Sequence, residues 1–244
     1  MFPPPVHTES SIPVLRQLIR DFPLSVLITA VPSDTHPLIP VSHIPFLLDV
    51  NDESRETELG TLRGHMTHQN PQSRAITDAV SLGTPANNNI LEQETKPTTA
   101  KVTPTWNYAT AQVYGKAKIY YDSKPKDTAE FLSHISQAAV LANLSKYSEE
   151  SIMGYTGKDG RPQPWEVSEA PEQWLELLKK NIIGIEISIA RLEGKFKMSQ
   201  EMRKGGREGV VRGFEELGSE TGLAISRMGR ERGEQKDAAK MGFE

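Results

Sequence analysis

Ile183, Ile185, Ile187 and Ile189 alternate with Gly184, Glu186, Ser188 and Ala190 at a strict period of two. Only a pleated strand puts every second side chain on one face, so this run must be a strand with one buried side. A lone strand or hairpin is marginal in water, so the rest of the chain has to supply partners and a cover for that apolar face.

The partners are legible as short runs rich in Val, Ile, Leu, Thr and Tyr. Residues 24–31 and 38–48 read as a strand pair, with turn chemistry between them, and 61–66 as a further short strand. Pro40 and Pro45 lack the N–H that a central ladder needs, so the second run is interrupted, bulged or at an edge. Residues 106–121 predict two strands meeting near Gly115. Glu193-Gly194 predicts a turn into a last strand over 195–198.

Helical spacing of Val14, Leu15, Leu18 and Ile19 predicts a helix over 12–21, stopped by Pro23. Asn70-Pro71 opens a second helix to about residue 80, because proline suits a first turn. Further helices are expected over 127–147 and 172–181. Short strands among peripheral helices, without regular βαβ alternation, give a mainly β, α+β fold: an antiparallel barrel with helical decorations. Residues 1–200 form its domain, and 201–244 a charged, helical or frayed tail.

The net charge of −4 and a pI near 5.9 leave direct nucleic-acid binding without support, since phosphate neutralisation needs a clustered basic surface. The absence of cysteine removes disulfides, thiolate nucleophiles and Cys-ligated metals. No stretch approaches the ~18 uncharged apolar residues of a membrane span, and no secretory leader pattern opens the chain. A cytoplasmic protein is expected, with the nucleus open to it. No Gly-x-Ser-x-Gly elbow, kinase signature or helix-turn-helix is present, and Gly154 to Gly160 lacks the phosphate-loop pattern. No catalytic residue is assigned.

Several motifs follow one another in order: Ser42-His43-Ile44-Pro45-Phe46-Leu47-Leu48-Asp49, Leu62-Arg63-Gly64-His65, Asn70-Pro71-Gln72, Lys101-Val102-Thr103-Pro104-Thr105-Trp106-Asn107-Tyr108, Pro164-Trp165 with Ala170-Pro171, Gly184-Ile185-Glu186, and Leu192-Glu193-Gly194-Lys195-Phe196-Lys197-Met198-Ser199-Gln200. Together they make roughly residues 1–200 resemble the PaiB-like family of FMN-binding negative transcriptional regulators. That resemblance implies a split β-barrel like that of pyridoxamine-phosphate oxidases, a homodimer, and FMN bound at its interface. It also implies that Ser42, His43, Gly64, His65, Met66 and Thr67 face the cofactor and that Asn70 closes the turn beside it. Thr105 and Asn107 are the polar members of the strongest motif.

Each of these residues has a plainer reading. Ser42 and His43 could be a polar strand face, and Asn107 a group satisfying a strand end beneath a core Trp106. Arg63 could hold a phosphate or be an ordinary strand arginine, and Lys195, Lys197, Ser199 and Gln200 could meet a phosphate or the partner subunit or be a solvated strand face. His65 and His68, with His43, have no metal-ligand geometry by spacing alone, so no metal is expected.

The sequence departs from the family at 81–100, where an apolar strand and a Gly-Pro-His turn are replaced by a polar stretch with Gly83, Pro85, Asn87, Asn88, Asn89 and Pro97. A barrel strand is expected to be missing there, and FMN affinity to be reduced or lost with it. The functional expectation is an FMN-binding, or formerly FMN-binding, negative regulator that acts on transcription indirectly. The alternatives are a flavin-dependent oxidoreductase for a small substrate and a cofactor-free interaction module.

Overall fold

The computed structural model describes residues 4–30, 32–82, 106–121, 149–150, 153–165 and 169–241. The helix expected over 127–147, the strand question at 83–100, and Thr105 lie outside the described residues. Two compact units divide the chain: Met1–Leu15, Ile90–Gln112 and Leu192–Glu244 form one, and Arg16–Asn89 and Val113–Arg191 the other. The strands are β1 (Thr8–Glu9), β2 (Leu24–Ile28), β3 (Val41–Pro45), β4 (Leu47–Asp49), β5 (Thr61–Thr67), β6 (Tyr108–Tyr120) and β7 (Ile182–Lys197). The helices are α1 (Ile12–Asp21), α2 (Pro71–Leu82), α3 (Glu172–Lys180), α4 (Lys204–Glu216) and α5 (Glu220–Met241). This is a mixed α+β fold, an antiparallel sheet with peripheral helices, consistent with the split-barrel expectation.

In the second unit, β5 lies between β4 and β7, antiparallel to both. Its register sets Leu62 opposite Ile187, Gly64 opposite Ile185 and Met66 opposite Ile183. Leu62, Met66, Ile183 and Ile185 are all buried, so the isoleucine alternation does supply a core face. β2 and β3 form a separate two-stranded ribbon. Pro45 ends β3, and the expected 38–48 run is accordingly split into β3 and β4, as a residue without an N–H predicts.

Two expected turns are not turns. β6 runs unbroken through Gly115, where an added Cβ would collide with the Ser188 carbonyl oxygen and lie 2.7 Å from Ile187 Cγ2. β7 runs unbroken through Gly194, where a Cβ would strike the buried Leu15 side chain and come within 3.1 Å of Glu9. Both glycines permit close approach within a unit and do not reverse the chain.

In the first unit, β1 pairs with the end of β7, Thr8 opposite Lys195 and Glu9 opposite Gly194. The segment 201–244, expected as a frayed or helical tail, contains α4 and α5, packed on each other through buried Arg207, Val211 and Phe214. Gly222, Gly229 and Gly233 of α5 form the seam, at which a Cβ would lie 2.7 Å from the Phe214 carbonyl oxygen, 3.3 Å from Val211 and 3.2 Å from Arg207. Arg207 also pairs with Asp237, and Arg232 with Glu9.

Candidate functional site

Strand alternation sorts the expected site residues of β5 onto two faces. Gly64 and Met66 point to the buried side with Leu62; Arg63, His65 and Thr67 share the other. A Cβ on Gly64 would sit 2.8 Å from two ring carbons of Phe46, so this glycine is filled by protein on its own side.

On the polar face, Arg63 stands opposite Glu186 of β7. Its Nε donates to Glu186 Oε2 at 3.0 Å and its Nη1 donates to Asp49 Oδ2. Partial burial alone would weaken its hold on the proton, but the hydrogen bond to Glu186 and the charge of Asp49 outweigh that and hold its pKa above the ordinary arginine range. Tyr120 brings its hydroxyl to 3.5 Å from Glu186 Oε1. Asp49 and Glu186 were not among the residues expected from the sequence. Both lie in motifs that carry the family resemblance, Asp49 at the end of Ser42 to Asp49 and Glu186 in Gly184-Ile185-Glu186, and the sequence does not mark either as part of the site.

His65 faces Gly184 across the same pair of strands. Its Nδ1 is buried and has no hydrogen-bond partner among the described residues, and burial pushes its pKa below the ordinary histidine value. The imidazole is therefore neutral at pH 7. The sign of the pH effect follows: a base with a depressed folded pKa stabilises fully above the unfolded value, and that stability is lost as pH falls below about 6.5. Urea unfolding between pH 5 and 7 is expected to show stability dropping with acid, and a His65→Gln variant a shallower drop. Equal slopes would show that His65 takes its proton as readily folded as unfolded.

Ser42 and Asn70 do come together: Asn70 Nδ2 donates to Ser42 Oγ at 3.0 Å. Asn70 Oδ1 also accepts the Gln72 N–H at 2.8 Å, which caps the first turn of α2. Gln72, almost wholly buried, donates through Nε2 to Leu27 O, Thr29 Oγ1 and Pro40 O at 3.0–3.1 Å. The Asn70-Pro71-Gln72 motif thus ties α2 to β2 and to the chain entering β3. His43 is exposed on the ribbon opposite Val26. Thr67 Oγ1 donates to Asn181 O at 3.3 Å.

Asn107 belongs to the other unit. It is buried, and its Oδ1 accepts the Ser199 hydroxyl at 2.8 Å. Lys197 Nζ donates to Trp106 O at 3.0 Å, and Lys195 Nζ to the Tyr108 hydroxyl at 2.5 Å. These contacts hold the start of β6 against the end of β7. Among the described residues no group of three or more His, Asp or Glu is placed to hold a metal ion.

A flavin mononucleotide asks for a polar partner along its ring edge and a cation at its phosphate. The unpaired Nδ1 of neutral His65 suits the first, and Arg63, two residues away on the same face, is a cation for the second. Donor chemistry on this face therefore fits the group, with Arg63 engaged by carboxylates.

Residues 1–191 match the model of the family described as "Putative FMN-binding domain", and the chain belongs to that family. It is 48% identical over 260 residues to an uncharacterized protein of Aspergillus fumigatus, covering 95% of this chain and 97% of the relative. It is 49% identical over 255 residues to an uncharacterized protein of Emericella nidulans, again covering 95% and 97%. No helix among the described residues is long and apolar enough to cross a membrane.

Proposed function

We propose that the protein is a PaiB-like, homodimeric FMN-binding protein of the cytoplasm or nucleus that lowers transcription indirectly. In this reading residues 1–200 are the cofactor domain and 201–244 an appendage to it. The match to the FMN-binding family over residues 1–191 carries this reading. The unpaired His65 Nδ1 and the nearby Arg63 support it at the level of individual groups. His65 would meet the polar edge of the ring, Arg63 the phosphate, and Ser42, His43 and Asn70 would line the approach. FMN, when bound, supplies a redox centre with visible absorbance.

An indirect effect on transcription agrees with the net charge of −4 and with the lack of a helix-turn-helix pattern in the sequence. The test is to purify the full chain, add excess FMN, remove what is free, and record the visible spectrum. One FMN per chain on a dimer, with no retention of DNA at physiological salt, is the expected result. No flavin absorption after reconstitution would overturn the cofactor reading, and sequence-selective DNA retention would overturn the indirect one. Steady reduction of bound flavin by a nicotinamide cofactor would replace the regulator with an oxidoreductase.

A further inference from the structure

The two carboxylates that hold Arg63 are not equivalent. Glu186 lies mid-strand, its side chain 22% exposed, with the Tyr120 hydroxyl on its other oxygen. Asp49 ends a three-residue strand, and its side chain is 57% exposed. An ion pair so open to water contributes little to stability and is easily exchanged, whereas the half-buried Glu186 arm is held in place. Arg63 therefore has a fixed side, bonded through Nε, and a replaceable side at Nη1. The replaceable side of a guanidinium is the fork that receives planar or tetrahedral oxyanions.

The geometry points to Asp49 as a built-in competitor: it occupies the anion-binding edge of Arg63 and yields it only to a phosphomonoester. Charge sets the threshold. One arginine between two carboxylates leaves the cluster net negative and repels incoming anions, so an anion with a single weak hydrogen bond to offer does not displace Asp49. A phosphomonoester, with up to two negative charges and three acceptor oxygens, competes for the fork while Glu186 keeps the guanidinium oriented. This rests on the flavin reading for its physiological ligand and deepens it, by making occupation of the phosphate end conditional on release of a carboxylate. It also explains how the sole strand arginine of the expected site can be paired and still serve a phosphate.

The experiment compares the native chain, Asp49→Asn and Asp49→Asn/Arg63→Gln for FMN and for riboflavin, which lacks the phosphate, by quenching of flavin fluorescence. Inorganic phosphate is titrated alongside, at constant ionic strength, while the Arg63 Nε–H resonance is followed by NMR. Asp49→Asn is expected to tighten FMN about tenfold, to leave riboflavin unchanged and to enlarge the phosphate-induced shift; the double variant is expected to lose the gain. Asp49→Ser is a second variant if asparagine disturbs the strand end. FMN binding that Asp49→Asn leaves unchanged or weakens would overturn the gate while the flavin reading stands. Phosphate shifts in Asp49→Asn without uptake of either flavin would keep the gate and overturn the flavin reading. Neither response would overturn both.

Discussion

Gly64→Ala is expected to lower the unfolding free energy by about 1–3 kcal/mol and to leave the FMN affinity of the folded protein unchanged. The added Cβ would lie 2.8 Å from Cδ1 and Cε1 of Phe46 and 3.0 Å from the Pro45 carbonyl oxygen. Phe46 is 3% exposed, so its ring has nowhere to retreat, and a main-chain oxygen moves only with its strand. The family resemblance implies that Gly64 faces the cofactor. Alternation along β5 turns Gly64 away from the Arg63 and His65 face, so the space it leaves is taken by Phe46. Urea denaturation and an FMN titration of the same preparations separate the two roles. A variant of native stability with weakened FMN binding would return Gly64 to the site.

What could be read from the sequence was whatever local periodicity determines. The isoleucines of β7, the amphipathic spacing of α1 and the proline-interrupted β3 are all decided by neighbours within a few residues, and they form where the pattern puts them. Gly115 and Gly194 look like turn residues in the sequence because the reason for each lies far away in the chain. Each is small because Ser188 and Ile187, or Leu15 and Glu9, pass against it, and nothing beside a glycine in sequence distinguishes that from a turn. The candidate site has the same division. The motifs indicated Arg63 and His65, but the carboxylates that set the charge of Arg63 sit on β4 and β7. Only the strand register brings Asp49 and Glu186 to it. Within one strand, Gly64 and Met66 point to the core while Arg63 and His65 share the other face, a division that strand alternation makes and adjacency in sequence does not show.

The same distinction between motif and role governs Ser199, for which two substitutions separate the hydrogen bond from the backbone strain. Ser199 is 1% exposed and has φ +60, a left-handed backbone that costs a non-glycine residue about 1 kcal/mol. The turn around it is held on every side: Gln200 Oε1 accepts the Met198 N–H at 2.6 Å, Gln200 Nε2 donates to Phe196 O, and Lys236 donates to the carbonyls of Gln200 and Met202. Ser199→Ala keeps the strained backbone and leaves the buried Asn107 Oδ1 without its donor, a loss of about 1–3 kcal/mol. Ser199→Gly loses the same hydrogen bond but relieves the strain, so it should be about 1 kcal/mol less damaging than alanine. Stability ordered native, then glycine, then alanine in urea unfolding, with unchanged FMN binding, makes Asn107 and Ser199 a latch between β6 and β7. Alanine tolerated as well as glycine would mean that the turn is not strained. Loss of FMN binding at full stability would mean that Asn107 serves the cofactor, as its place in the Trp106-Asn107-Tyr108 motif first suggests.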